Sequence, residues 1–269
     1  MMVGGELPKP RAGGKKSENE QLLSIKNASF VREDGREVLK NVNLELQDSE
    51  ILGIAGVEGN GQSELIELIM GLVKPTNGTV EILGLDATKT LTKDIRNAGV
   101  AYIPQDRQRD GLLMSAPLWE NRVLGHQFAS PMANNIWVDK GEAIKDSKRV
   151  VSEFDVRTPG INVLASALSG GNQQKFIVGR ELSGNPKVIV AAQPTRGVDV
   201  GAQAIIWDQL MKARTEGAGV LLISADLDEL FSLSDRIAVI YNGSIVSTLD
   251  PNKTTPEQLG LAMTGAKSA

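Results

Sequence analysis

The spacing of apolar residues predicts that the folded region begins with β-structure. Apolar and polar positions alternate along residues 22–31 and 38–46, which is typical of strands with one buried face. Asp34-Gly35 lies between the two stretches and indicates a hairpin turn. Residues 51–56 form an unbroken apolar run, the pattern of a strand that is buried on both faces. We therefore expect an antiparallel pair followed by a core strand.

The next segment changes from strand to helix periodicity. Five apolar residues recur at helical spacing and predict a helix with one apolar face: Leu65, Ile66, Leu68, Ile69 and Leu72. An Asn-Gly turn opens a short strand within residues 76–84, and residues 99–104 predict one more.

A mainly helical section from about Met114 to about Phe176 then interrupts the strands. Beyond it, strand and helix patterns alternate again. Strands are predicted at 187–192, 219–224, 236–241 and 244–250, and helices at about 200–213, at 227–233 and at about 256–263. This order predicts an α/β fold with a mostly parallel core, an antiparallel β subdomain and an inserted helical subdomain.

Composition sets the domain limits and narrows the function classes. Residues 1–21 are rich in Gly, Pro and charge and predict a flexible linker, followed by one domain at 22–265 and a tail at 266–269. The helical subdomain would cover about 114–177. A net charge of −4 gives no general attraction to nucleic acid, and the lack of cysteine excludes disulfides and thiolate metal sites. No apolar run reaches the ~18 residues of a membrane span, so a membrane role would act through a partner.

The stretch "GVEGNGQS", Gly56 to Ser63, has the spacing of a phosphate-binding P-loop between a buried strand and a helix. Its glycines allow backbone N–H groups to turn inward as an anion nest at a helix N-terminus, and Ser63 offers a hydroxyl to a phosphate-bound Mg²⁺. Gln62 stands where the motif has Lys, which removes the fixed positive charge. An ordinary Gly-rich turn is the alternative for this motif alone.

The stretch "ALSGGNQQK", residues 167–175, gives the family. It resembles the signature loop of the ATP-binding subunits of ABC transporters, and the resemblance covers nearly all of 22–265. The order of P-loop, signature loop, "QPTRG" and "GVDVG" matches the family, and "AYIPQDR" matches its Q-loop region. The resemblance implies a P-loop NTPase of the ABC ATPase fold that binds ATP and Mg²⁺.

The same resemblance implies which residues bind nucleotide. In the family the signature loop reaches across a dimer interface to the γ-phosphate held by the other half, and the Q-loop senses the metal and the membrane subunit. The implied nucleotide-binding positions are Gly56, Glu58, Gly59, Asn60, Gly61, Gln62, Ser63, Glu64, Gln105, Ser169, Gly170, Gly171, Gln173 and Asp199, and the implied metal ligands are Ser63 and Gln105. The family's adenine-stacking aromatic falls near Arg32, and whether Phe30 replaces it stays open. His126, the only histidine, is expected to be a surface or packing residue.

Four residues depart from the family's catalytic pattern, so no catalytic set is complete. Gln62 replaces the phosphate-binding Lys, Ala192 the Asp that holds Mg²⁺, Gln193 the Glu general base, and Ala225 the switch His. A general base alone contributes about 10²–10⁴-fold to rate. We expect this site to hydrolyse ATP very slowly or not at all, and to bind nucleotide more weakly and with less dependence on Mg²⁺.

Longer phrases narrow the resemblance to one branch. "LSGGNQQK" with "PTRGVDVGA" is similar to the simple-sugar and nucleoside importers, in which two ATPase halves are fused. "EFDVRTPG" with "AAQPTRG" is closer to the C-terminal half of the nucleoside branch, which works with a lipoprotein receptor. The start "MVGGE" is similar to the closing "MTGAK", so we expect the first residues to be the tail of an N-terminal half. The implied partners are that half, membrane permease subunits and, indirectly, the lipoprotein, on the cytoplasmic face of the cell membrane.

Three alternative functions stand beside a nucleoside importer. A ribose- or galactose-type importer differs only in the transported solute. A soluble ABC-type ATPase acting on DNA or ribosomes would carry a long coiled-coil insertion or a basic linker with an intact acid pair. A P-loop metabolic kinase would need its own phosphate-binding Lys, and it leaves "LSGGNQQK" unexplained.

Overall fold

The computed structural model describes residues 20–127, 133–134 and 137–265. Its strands are β1 (Gln21–Val31), β2 (Glu37–Gln47), β3 (Ile51–Ala55), β4 (Asn77–Ile82), β5 (Leu85–Asp86), β6 (Val100–Ile103), β7 (Ala133–Asn134), β8 (Trp137–Val138), β9 (Val188–Ala192), β10 (Gly219–Ile223), β11 (Arg236–Tyr241) and β12 (Ser244–Leu249). Its α-helices are α1 (Gln62–Ile69), α2 (Thr92–Asn97), α3 (Leu118–Val123), α4 (Lys140–Glu153), α5 (Gly170–Leu182), α6 (Val200–Thr215), α7 (Leu227–Leu233) and α8 (Pro256–Met263). A π-helical turn covers Arg107–Gly111, and a 3₁₀ turn covers Ala165–Ala167.

The chain divides into two compact units. Within the described residues, the first unit comprises 102–186 and 194–209 and is mainly helical. The second comprises 20–101, 187–193 and 210–265 and holds most of the strands.

The second unit contains an antiparallel sheet in the order β2-β1-β4-β5. The predicted hairpin is present: β1 and β2 pair antiparallel around Gly35, which has φ +81°. Alternate residues of β2 are buried, as the period-2 pattern predicts.

The larger sheet has the order β12-β11-β3-β10-β9-β6. β3 pairs parallel with both β10 and β11, and β9 pairs parallel with β10, whereas β12 returns antiparallel to β11. Every residue of β3, β9 and β10 is buried, which explains their unbroken apolar sequences. Each fully buried Ile, Leu or Val in these strands contributes about 1.5–3 kcal/mol of transfer free energy.

The predicted fold class is confirmed, and two local expectations need correction. Leu72 does not share the apolar face of α1: the helix ends at Ile69, Gly71 adopts φ +68°, and Leu72 is 60% exposed. A left-handed glycine after the last turn stops a helix and turns the chain away. The second difference is a small hairpin, β7 with β8, inside the section expected to be helical.

Several expectations fall partly on residues outside the described part. They are the linker at 1–21, of which 20 and 21 are described and Gln21 opens β1, and the tail at 266–269. Within the described residues no helix is both long enough and apolar enough to span a bilayer.

Candidate functional site

The second unit builds a phosphate-type cradle where β3 meets α1. β3 ends at Ala55, and Gly59 and Gly61 adopt φ +90° and +109°, backbone conformations that glycine reaches without steric cost. Gly61 is the N-cap of α1 and supplies no side-chain cap, so the first N–H groups of the helix have no intrahelical acceptor. Open N–H groups at a helix N-terminus are an anion-binding arrangement.

The Gln62 side chain occupies the interior of this loop. Its Oε1 accepts the Asn60 backbone N–H at 3.0 Å, and its Nε2 donates to the Val57 carbonyl at 3.0 Å. The amide also lies against Gly56, where an added Cβ would come within 2.8 Å of Nε2. An uncharged group therefore satisfies part of the cradle from within, where the P-loop pattern places a lysine that binds phosphate.

The turn between β11 and β12 fixes the middle of the loop. The backbone N–H of Asn242 donates to Asn60 Oδ1 at 2.7 Å, and that of Gly243 donates to the Asn60 carbonyl at 3.0 Å. Asn242 and Gly243 both have positive φ, as a two-residue hairpin turn requires. The turn at Asn242 and Gly243 thus supports the candidate site as well as the sheet.

A buried carboxylate stands in the first turn of α1. Glu64 is 6% exposed and forms an ion pair with the guanidinium of Arg32 from the β1–β2 hairpin. Arg32 is the residue near which the family's adenine-stacking aromatic was expected, and Phe30 is half-buried and paired with Leu39 in the sheet. Because Glu64 neutralises Arg32, the pair adds no net positive charge to the cradle.

A second carboxylate on the same helix is also perturbed. Burial raises the pKa of Glu67, the negative charge of Glu64 raises it further, and Arg32 opposes both effects. Both effects favour the neutral form of Glu67, because a negative charge at this half-buried position is poorly solvated and lies near the charge of Glu64.

Two of the substituted catalytic positions contact each other. Gln193 follows β9 with φ +48°, and its Oε1 accepts the backbone N–H of Ala225 at 3.3 Å. Ala192 is fully buried and presents only a methyl group. The end of β9 thus provides no carboxylate for a metal or for an attacking water.

The first unit presents the signature loop. Ser169 is the N-cap of α5, and its Oγ accepts a hydrogen bond from Asn172 Nδ2 at 2.9 Å. Asn172 is held in turn, since its Oδ1 accepts the Arg157 backbone N–H at 2.8 Å. Ser169 therefore keeps its hydroxyl proton for an outside acceptor, beside the open N–H groups of the first helical turn.

The two glycines of the loop allow close packing around it. A Cβ at Gly171 would lie 3.2 Å from Asp199 Oδ2. Asp199 itself caps α6, because its Oδ1 accepts the Ala202 N–H at 2.9 Å. Gln173 is 3% exposed, and its amide donates to the carbonyls of Ala165 and Leu168, so it shapes the loop from inside.

A scan of protein families identifies the chain. The model described as ABC transporter matches residues 39–196. The chain belongs to the ABC transporter family. It is an ATP-binding domain of that family, and the family's ABC ATPase fold binds ATP with Mg²⁺.

The ABC transporter relatives include importers of nucleosides and sugars. The chain is 41% identical to the guanosine import ATP-binding protein NupO of Bacillus subtilis, over 99% of this chain and 52% of that protein. It is 41% identical to the nucleoside import ATP-binding protein NupA of Lactococcus lactis, over 91% and 48%. It is 39% identical to the glucose import ATP-binding protein TsgD13 of Haloferax volcanii, over 100% and 49%. The chain spans about half the length of these relatives.

A solved ABC cassette has the same fold. A nucleotide-free ATP-binding cassette from an ABC transporter superposes with a TM-score of 0.76, at 23% identity, over 91% of this chain and all of that one. At this identity the likeness concerns the fold alone.

The donors of this ABC domain fit a phosphate better than they fit Mg²⁺. Ser63 is exposed and its hydroxyl makes no hydrogen bond within the described residues, so it suits a phosphate or a metal-bound water. No group of three or more His, Asp or Glu side chains in the described part could hold a metal ion. Gln105, the other expected metal ligand, is half-buried in the first unit, before the π-helical turn. Mg²⁺ prefers several carboxylate or water oxygens in octahedral geometry, which this set does not supply.

Arg107 lies at the signature loop, although the sequence pattern assigns it no role. Its Nε donates to Gln173 Oε1 at 3.3 Å, and its Nη1 donates to the Arg196 carbonyl at 2.9 Å. Its place at the end of "AYIPQDR" is the one feature of the sequence that points to it, and the Q-loop resemblance of that phrase assigns a role only to Gln105.

Proposed function

We propose that this chain is the ATP-binding component of an ABC importer that gives its signature loop to a partner half and does not hydrolyse ATP at its own cradle. The observation that carries the proposal is a contrast between two positions. Ser169 has its hydroxyl proton available at an open helix N-terminus, whereas Ala192 and Gln193 leave the end of β9 without an acid.

Weak or absent turnover at the cradle follows from its chemistry. Without a carboxylate at position 193 no general base takes the proton of the attacking water, a loss of about 10²–10⁴-fold. The Gln193 amide cannot take a proton as a carboxylate does, and its Oε1 already accepts the Ala225 N–H. Nucleotide would bind there through backbone N–H groups and Ser63, more weakly than at an intact P-loop and with little help from Mg²⁺.

The proposed partner is an N-terminal ATPase half, in the same polypeptide or in the same complex. The chain aligns with only about half of each relative's length, which supports a second half. In a head-to-tail pair, the ATP of the partner's intact P-loop would lie against Ser169, Gly170 and Gly171 of this chain. The ATPase domain would span 22–265, with its helical subdomain at about 114–177 and Gln105 and Asp199 at its interfaces.

Nucleosides are the proposed solutes. The names of two relatives at 41% identity, for guanosine and nucleoside import, support this choice, and the glucose relative at 39% supports a sugar as the second candidate. Permease subunits would hold the chain at the inner face of the cell membrane, and a substrate-binding lipoprotein would deliver the solute. No nucleic acid is involved.

Reconstitution tests the proposal. The chain alone, and the complex of both ATPase halves with the permease subunits and lipoprotein in proteoliposomes, are assayed for ATP hydrolysis at equal concentration. We expect the complex to hydrolyse ATP at least about 100-fold faster than the chain alone. Equal rates per chain would overturn the proposal.

The same proteoliposomes identify the solute. Guanosine should stimulate hydrolysis and enter the vesicles, whereas glucose and ribose should not. Stimulation by a sugar alone would change the proposed solute and leave the proposed roles of the two halves unaffected.

A further inference from the structure

A guanidinium group lies directly against the signature loop. A Cβ placed on Gly170 would come within 2.7 Å of Arg107 Nη2 and 3.4 Å of the Gly197 carbonyl. The first turn of α5 contains no acidic residue, so a cation beside it is not neutralised from within that turn. Arg107 is therefore a positive charge placed beside Gly170 of the loop.

The turn that carries Arg107 is held at its start. Oδ1 of Asp106 accepts the backbone N–H groups of Gln108 and Arg109 at 3.0 and 3.1 Å. These hydrogen bonds, that from Arg109 first, lower the pKa of Asp106, so the cap is ionised at neutral pH. Asp106 fixes the first residues of the π-helical turn, of which Arg107 is one.

The same turn is held at its end by α5 itself. Nη1 of Arg180 donates to the Gly111 carbonyl at 2.8 Å, and a Cβ at Gly111 would come within 2.8 Å of Ile177. Arg180 and Ile177 both belong to α5, the helix that begins at the signature loop. The turn that carries Arg107 is therefore anchored to the helix that begins at the signature loop.

Part of the guanidinium remains available. Of the five N–H donors of an arginine, one on Nε and one on Nη1 are used by Gln173 and Arg196. Nη2 makes no hydrogen bond within the described residues, and the side chain is half-buried. The bonds from Nε and Nη1 fix the plane of the guanidinium, so Nη2 is held beside Gly170.

The carboxylate of Asp199 lies on the other side of the loop, near Gly171. Its Oδ1 is committed to the Ala202 N–H. A phosphate approaching the loop would thus meet an available cation on the Gly170 side and a helix-capping carboxylate on the Gly171 side. This arrangement directs anionic oxygens toward Arg107.

We propose that Arg107 donates from Nη2 to the terminal phosphate of the ATP that the partner half holds against this signature loop. This inference rests on the proposed function above. A guanidinium matches phosphate oxygens in geometry, and a charge-assisted hydrogen bond is about twice as strong as a neutral one. Because the contact is made to the terminal phosphate, ATP can form it and ADP cannot. It adds to the contacts of Ser169.

The test uses the full reconstituted complex with Arg107→Gln, Arg107→Lys and the matched control Arg109→Gln. Arg109 lies in the same turn, has a 78% exposed side chain and pairs with Asp110. We expect Arg107→Gln to raise the KM for ATP about tenfold, the loss of roughly one charged hydrogen bond. The inhibition constant of ADP should change less than about twofold, Arg107→Lys should recover part of the ATP effect, and Arg109→Gln should match the unmodified complex.

Equal weakening of ATP and ADP by Arg107→Gln, without recovery in Arg107→Lys, would show that Arg107 only supports the loop and would overturn the inference. Ser169→Arg, measured in parallel, separates this failure from that of the proposed function. If Ser169→Arg abolishes turnover while Arg107→Gln leaves the KM for ATP unchanged, only the Arg107 contact is wrong. If Ser169→Arg leaves ATP turnover unchanged, the proposed function is wrong. A thermal melt of each complex confirms that the variants are folded.

Discussion

The chain contains two Gly-rich helix N-termini that suit anions, at α1 and at α5, and they differ in the side chains around them. At α1 the Gln62 amide occupies the loop, and Glu64 is buried in the first turn. At α5 the Ser169 hydroxyl has its proton available, no acid stands in the first turn, and Arg107 lies beside the glycines. The backbone provides the same anion-binding geometry twice, and side chains within one turn decide which copy favours a phosphate.

The difference shows how one fold can divide labour between two halves of an ATPase. On the proposed function, the cradle at α1 lacks a general base and carboxylate metal ligands, yet the chain is still needed if the α5 end completes the partner half's site. The signature loop would require no acid of its own, because it would contribute hydrogen bonds and charge to a reaction whose base belongs to the partner half.

The two serines at the helix ends give the sharpest test. In the reconstituted complex, Ser169→Arg should lower ATP turnover by about 100-fold or more, because the arginine fills the space that the triphosphate needs and removes the hydroxyl donor. Ser63→Arg places the same bulk in this chain's own cradle. The loss from Ser169→Arg should exceed the loss from Ser63→Arg at least about tenfold in a steady-state ATPase assay. Equal losses would mean that both sites take part in turnover.

Restoring the metal-binding acid should be costly to stability. Ala192 is fully buried, so Ala192→Asp introduces a carboxylate without a partner and should lower the free energy of unfolding by about 2–3 kcal/mol. Gln193→Glu is the matched control, since Gln193 is half-buried and a glutamate still accepts the Ala225 N–H; it should cost less than about 1 kcal/mol. Urea denaturation of the isolated chain measures both. Similar costs would show that position 192 keeps room for a solvated acid.

Much of the fold could be predicted because its elements have strong periods and clear caps. The last helix is an example: Pro256 stands at its first position, and Thr255 and Gln258 form a capping box, so its bounds match the prediction. The prediction that Leu72 shares the apolar face of α1 was wrong because the apolar periodicity continues past Gly71 in the sequence. Only the backbone shows that Gly71 adopts a left-handed conformation and ends the helix.

The candidate site could be located from sequence, whereas the state of its side chains could not. Motif spacing gave the loop from Gly56 and the signature loop from Ser169. That Gln62 folds back onto Asn60, and that Arg107 reaches Gly170, depends on contacts 2 and 63 positions away along the chain. The first contact depends on the side-chain conformation of Gln62 and the second on tertiary packing, and a linear pattern specifies neither.

The Gln62 amide can be replaced to change the cradle. Gln62→Lys should tighten binding of pyrophosphate to the isolated chain about tenfold, roughly 1.4 kcal/mol, because it adds a fixed charge and removes the Oε1 that competes for the Asn60 N–H. The methionine of Gln62→Met has a side chain of similar length that carries no charge and no strong donor or acceptor, so it should give a smaller gain in pyrophosphate affinity. Calorimetric titration at two salt concentrations measures both, and only the lysine gain should fall as salt rises. Identical affinities for all three chains would show that Gln62 does not limit the cradle.

The smallest expected effect concerns Glu67, the second carboxyl group of α1. Burial and the charge of Glu64 raise the pKa of Glu67 above its ordinary value in the folded chain. Below both the folded and the unfolded pKa, Glu67 is protonated in either state and has no effect on stability. As pH rises past the unfolded value, the unfolded chain releases its proton first, and folding loses free energy until pH exceeds the folded value. Glu67→Gln removes this loss, so it should be more stabilising at pH 7 than at pH 4.

Denaturant unfolding at several pH values between 4 and 8 measures the difference between Glu67→Gln and the unmodified chain. Glu33→Gln, the same change at an exposed position of the β1–β2 hairpin, provides the baseline. The Glu67→Gln difference should rise with pH and then level off, and part of the rise should disappear in a Glu64→Gln background, because that variant removes the neighbouring charge and leaves the larger effect of burial. A difference that is flat with pH would mean that Glu67 keeps an ordinary pKa, so that neither burial nor Glu64 disfavours its charge in the folded chain.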